Sequence, residues 1–181
     1  MTTQGTIEQH EGRVSFRYER LFNHPIETVW RAITDPEELA QWLGSKPELD
    51  LRVGGRYVMI HTSPDGSKEQ RVEDRVVRLE PPRLFEHTFW LEVNPSALVT
   101  WELTPTGDGT RLDLTHALDR ADLAAAATIG GGEDIVTVIS RNAAGWHRLL
   151  DRITAQLDDV AQPWSRSAQQ ELQQRYASMV D

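Results

Sequence analysis

HPIETVWRAITDPEELAQWLG, residues His24 to Gly44, is the stretch on which the fold turns. Pro25 suits the first position of a helix, and Val29, Trp30 and Ile33 follow at helical spacing. A second helix start comes at once: Asp35 can cap it, Pro36 fits its first turn, and Glu38 stands at capping-box spacing. Leu39, Trp42 and Leu43 form its apolar side, and Gly44 can end it. Before this pair of short helices, Val14 to Phe22 alternates apolar and polar residues as a half-buried strand does. After it, turn signals at Gly54-Gly55, Pro64-Asp65-Gly66, Pro81-Pro82, Asn94-Pro95-Ser96 and Thr106 to Gly109 divide the chain into further strands. These run at about residues 49–53, 56–62, 69–79, 84–91, 98–103 and 110–115, so the sheet is expected to have seven strands. Short connections favour antiparallel neighbours. A long amphipathic helix follows over Asp134 to Val160, with Ile135, Ile139, Asn142, Trp146, Leu149, Leu150, Ile153 and Leu157 on one stripe. The fold class is therefore α+β. A curved antiparallel sheet wraps around the long C-terminal helix, with two short helices between strands 1 and 2, an arrangement that often encloses a cavity.

The 181 residues suit one domain that buries its core without staples. With no cysteine there is neither a disulfide framework nor a thiolate metal site. A net charge of −9 provides no basic stripe for nucleic acid and disfavours an anionic membrane surface. No stretch reaches the length of a membrane span, and MTTQGTIEQHEGR lacks an apolar leader core, so a cytoplasmic location is expected. Residues 1–13 read as a flexible N-terminus and 14–160 as the domain. Residues 161–181 read as a tail helix, with Ala168, Leu172, Tyr176 and Met179 on a narrow stripe. That stripe could pack on its own domain, or serve as a lid or a homodimer contact. The Ala-rich Leu123 to Thr128 suggests a short connecting helix, and Gly130-Gly131-Gly132 a hinge.

Five phrases in this order carry a resemblance. They are Val29-Trp30, Ala32, Thr34-Asp35-Pro36-Glu37, Leu39 and Trp42; Gly54-Gly55; Pro81-Pro82-Arg83-Leu84; Gly109, Thr110, Leu112, Leu114 and His116; and Gly145-Trp146, Leu150 and Asp151. From about residue 14 to 160 the chain resembles the START-like superfamily, also called SRPBCC or Bet v-like. Within it, the chain resembles the bacterial homologues of the activator of heat-shock-protein-90 ATPase. The resemblance implies a helix-grip fold. It does not imply one function, since the superfamily includes lipid and hormone binders, polyketide cyclases and protein-binding regulators.

Alternation within strands aims His116 at the core face beside Leu112 and Leu114, and Trp101 inward with Val99 and Leu103. His87 shares a face with Phe85 and Phe89. His116 could be a structural histidine, a ligand contact or an acid-base group. Asn142 is the one strongly polar residue on the long-helix stripe, and Gly145 beside it makes room either for a ligand or for a tryptophan. No catalytic residue is assigned, no metal-ligand spacing is present, and no cofactor is expected. The first expectation is a binding module for a small apolar or amphipathic molecule, lined by Trp30, His87, Trp101, His116, Asn142 and Trp146. A protein-interaction or chaperone-regulator-like module ranks second. A cyclase- or hydrolase-like enzyme using His87 or His116 ranks third.

Overall fold

The computed structural model describes residues 5–44, 46–62, 69–129, 132–161 and 165–180. The turn read at Pro64 to Gly66, the hinge glycines Gly130 and Gly131, and the break at Pro163 lie outside the described residues. Eight strands form one antiparallel sheet: β1 (Thr6–His10), β2 (Arg13–Phe22), β3 (Glu48–Leu49), β4 (Arg56–Thr62), β5 (Glu69–Glu80), β6 (Leu84–Thr88), β7 (Leu98–Thr106) and β8 (Gly109–Asp119). Their spatial order is β1-β2-β8-β7-β6-β5-β4-β3. The helices are α1 (Ile26–Thr34), α2 (Pro36–Leu43), α3 (Arg120–Ile129), α4 (Ile135–Leu157) and α5 (Arg166–Ala177).

The two short helices form as their residues dictate. The Asp35 side chain accepts the Glu37 and Glu38 N–H groups, and Gly44 ends α2 in the left-handed region at φ 84°. Glu38 closes no capping box; its carboxylate binds Arg31 and Gln156 instead. Trp42 donates its indole N–H to the Ala32 carbonyl at 2.8 Å, locking α2 against α1.

The strand beyond the expected seven is β1, built from residues read above as a flexible lead-in. Its sequence has no apolar face, so the pattern within it is silent. Its stability comes from pairing with β2, Thr6 opposite Arg17 through His10 opposite Arg13. At its start, a Cβ on Gly5 would come within 2.1 Å of the Tyr18 ring, so only glycine lets the chain pass there. The strand expected at 49–53 shortens to Glu48–Leu49, and the loop after it folds tightly enough that a Cβ on Gly55 would sit 2.0 Å from the Asp50 carbonyl oxygen.

Two rows of side chains cross the concave face of the sheet. The register places His87, Val99, His116 and Phe16 in one row and Phe85, Trp101, Leu114 and Tyr18 in the next. Helix α4 packs over these rows, burying Ile139, Ala143, Ala144, Trp146, Leu150 and Ile153.

The tail helix α5 docks on α4 through Leu172 and Tyr176, both buried. The Tyr176 hydroxyl accepts the Gly5 N–H at 2.9 Å and donates to His147 Nδ1 at 2.8 Å. Beside them, Arg20 pairs with Asp151 at 3.2 Å, and Tyr18 donates to the Ala143 carbonyl at 2.7 Å. This polar cluster ties the N-terminus, β2, α4 and α5 together.

Candidate functional site

Between α2, the concave sheet and the second half of α4 lies a cavity of about 340 Å³. Trp42 and Leu43 come from α2, Tyr57 and Met59 from β4, His87 from β6, and Trp101 from β7. Phe89 comes from the turn after β6, and Gly145, Trp146, Arg148, Leu149 and Arg152 from α4. The walls are aromatic: Trp101 stands 6.0 Å from both Trp42 and Trp146, Phe89 5.1 Å from Trp146, and Tyr57 4.9 Å from His87, between ring centroids.

Of the residues expected to line a site, His87, Trp101 and Trp146 face this cavity together. His116 stands one layer behind, its Nδ1 accepting the Trp146 indole N–H at 2.8 Å. Asn142 lies on the edge of α4, beside a shallower depression shared with Phe89, Gly145 and Leu149. Its amide donates to the Val138 carbonyl one turn back, at 3.0 Å, rather than facing the sheet. Trp30 packs in the core and lines neither space. At Gly145 the open alternatives resolve toward free space: a Cβ there would meet nothing within 4 Å.

Arg148 and Arg152 went unread in the sequence. They fall at i+3 and i+7 from Gly145 and flank Leu149, so all four share one face of α4, a spacing that was available to find them. Phe89 was read on the face of His87, but the turn that carries it was not. The strand expected to run on to Leu91 stops at Thr88 because the buried Asp74 carboxylate gathers the chain there. It accepts the Thr88 hydroxyl at 2.8 Å and the Trp90 and Leu91 N–H groups, each at 3.1 Å. Trp90 adopts φ 55° in this turn, and Phe89 faces the cavity.

Both cavity-side histidines are held neutral. His87 donates from Nδ1 to the Thr88 carbonyl at 2.6 Å and accepts the Trp101 indole N–H on Nε2 at 3.2 Å. Burial pushes its pKa down to about 4. His116 accepts on Nδ1, which leaves its proton on Nε2, where no partner stands, and burial together with nearby His87 pushes its pKa down to about 3. Burial also lowers the pKa of His147.

A stability profile follows from these shifts. An unfolded histidine titrates near 6.5, so below that pH the unfolded chain binds protons the folded chain refuses, and stability is lost as pH falls. It is fully present above about pH 6.5. Each of His87 and His116 then removes about 1.4 kcal/mol per pH unit, down to about pH 4 and pH 3 respectively. Urea unfolding at pH 7 and pH 5 should differ by roughly 4 kcal/mol, and His116→Gln should flatten the slope by about half. A profile level across this range would contradict the neutral assignment.

A curved antiparallel sheet gripping a long helix over an aromatic cavity defines a helix-grip protein of the START-like superfamily. The chain belongs to the family described as activator of Hsp90 ATPase homolog 1-like protein, whose model matches residues 23–158. Solved structures agree on the fold. CalU16 from Micromonospora echinospora is 22% identical over 97% of this chain and 94% of its own, with a TM-score of 0.68. The conserved protein of unknown function EF2215 from Enterococcus faecalis is 18% identical over 98% and 92%, with a TM-score of 0.72. The protein encoded by BPP1335 of Bordetella parapertussis is 24% identical over 99% and 92%, with a TM-score of 0.69. No curated protein matches the chain. The wider superfamily often binds hydrophobic ligands. Among the described residues, no helix is long and apolar enough to cross a membrane, and no cluster of side chains is arranged to hold a metal ion.

Proposed function

We propose that this protein is a binding module for a small, mostly apolar molecule, held between the sheet and α4. The observation that carries the reading is the aromatic cavity itself. A space of about 340 Å³ walled by Trp42, Tyr57, His87, Phe89, Trp101 and Trp146 has the size and chemistry of small-molecule sites. The indole N–H groups of Trp42, Trp101 and Trp146 are all satisfied by neighbours within the protein, so these rings stand fixed as apolar walls. Burial of ligand apolar surface supplies the binding energy, about 25 cal/mol per Å² before association losses.

The histidines support binding over catalysis. A proton shuttle needs a pKa near the working pH, and His87 and His116 lie well below it with their acceptor nitrogens already engaged. Leu172 and Tyr176 of the tail stripe are buried against their own domain, with Met179 partly buried beside them, which weakens the interaction reading.

The test is a titration with N-phenyl-1-naphthylamine, an uncharged probe that brightens in apolar surroundings. Saturable one-to-one binding, with a Kd below about 100 µM and quenching of tryptophan emission, is expected. A linear, unsaturable response would overturn the proposal.

A further inference from the structure

Resting on that cavity reading, we infer that the natural ligand is an amphipathic anion, its apolar body in the cavity and a carboxylate head held at the mouth by Arg148 and Arg152.

The two arginines sit one turn apart on α4, and both line two spaces at once. One is the aromatic cavity. The other is an open polar groove of about 500 Å³ bordered by Gln41, Ala155, Gln156, Asp159 and Val160. The guanidinium groups therefore stand where the apolar cavity meets the polar groove. An amphipathic molecule entering from the groove would leave its head at this boundary.

The charge environment points the same way. The protein is acidic, with 28 Asp and Glu against 19 Lys and Arg, so carboxylates are in surplus. Many arginines take one: Arg13 pairs with Asp119, Arg20 with Asp151, Arg56 with Glu73, Arg71 with Glu48, and Arg78 with Glu86. Arg152 makes no ion pair or hydrogen bond among the described residues, although Asp159 lines the same groove. Its neighbour one turn back on α4, Arg148, carries a like charge. Burial, and after it the Arg148 cation, depress the Arg152 pKa. The guanidinium fork matches a carboxylate in two parallel hydrogen bonds, which an alcohol or amide head cannot reproduce.

The test uses the full chain and displacement of bound N-phenyl-1-naphthylamine by two molecules of equal length, decanoate and 1-decanol, at pH 7. Decanoate should displace the probe at concentrations at least about tenfold lower, the effect of one charge-assisted contact. Arg152→Gln, and more fully the Arg148→Gln, Arg152→Gln double variant, should bring decanoate to the level of 1-decanol, the ratio of the two being read on each variant after its own probe affinity has been measured. Equal potency of decanoate and decanol on the wild type would overturn the anion assignment and leave the apolar cavity standing. Decanoate selectivity that survives the double variant would overturn the role given to these arginines. Failure of the probe itself to bind would overturn the cavity reading, and the present inference with it.

Discussion

Replacing Asp74 with alanine should lower the melting temperature by roughly 6–12 °C, reflecting about 3 kcal/mol of lost stability. The carboxylate is fully buried and accepts hydrogen bonds from the Thr88 hydroxyl and from the Trp90 and Leu91 N–H groups. Bonds to a charged acceptor are each stronger than neutral ones, and alanine would take this acceptor from two backbone donors. The left-handed backbone of Trp90 is tolerated only while this turn is held together. Asp74→Asn keeps one oxygen, so a smaller loss is expected. The consequence reaches the cavity because the same turn places Phe89 against Trp146 and His116. Thermal unfolding followed by circular dichroism measures the effect. An Asp74→Ala protein as stable as the wild type would refute the role given to this carboxylate.

The second large effect is expected at Gly145. A Cβ there meets nothing within 4 Å, and the residue borders both the cavity and the adjoining depression. Gly145→Phe should therefore fold and fill the shared space, since glycine in mid-helix is disfavoured by about 1 kcal/mol relative to alanine. Binding of N-phenyl-1-naphthylamine should weaken at least about a hundredfold, equivalent to about 2.7 kcal/mol, with the melting temperature unchanged or raised. The control is Gly145→Ala, which should gain up to about 1 kcal/mol of stability and still bind the probe. Unaltered binding in a folded Gly145→Phe protein would place the probe elsewhere.

The framework of this fold is legible locally. Alternation in Val14 to Phe22 and in Thr110 to His116, the caps at Asp35 and Gly44, and the stripe of α4 each carry their own signal. The site is legible only in part, for reasons that are not local. Trp101 and His87 follow from strand parity, and Trp146 from helical spacing. Phe89 shares the parity of His87, but it reaches the cavity from a turn, because a carboxylate on β5 ends β6 early and no pattern within residues 84–91 records that. Asn142 falls near the edge of the stripe, where a small angular error moves a side chain from the sheet to the rim, and its bond to Val138 completes the move. Trp30 has the right helical face but sits on α1, which packs its side chains into the core away from the cavity. The strand β1 is invisible because an edge strand can be held by pairing alone, and Thr6 to His10 have no apolar rhythm. Arg148 and Arg152 look like ordinary solvated charges until α4 is seated on the sheet.

The most direct measurement is a 15N-correlated spectrum of the tryptophan indole N–H groups, recorded as N-phenyl-1-naphthylamine is added. The chain has six tryptophans. Trp42, Trp101 and Trp146 line the cavity, whereas Trp30 does not. Saturable shifts confined mainly to the indoles of Trp42, Trp101 and Trp146, with Trp30 unmoved, are predicted. A probe that binds and leaves those three unchanged, or shifts Trp30 instead, would contradict the placement of the ligand between the sheet and α4.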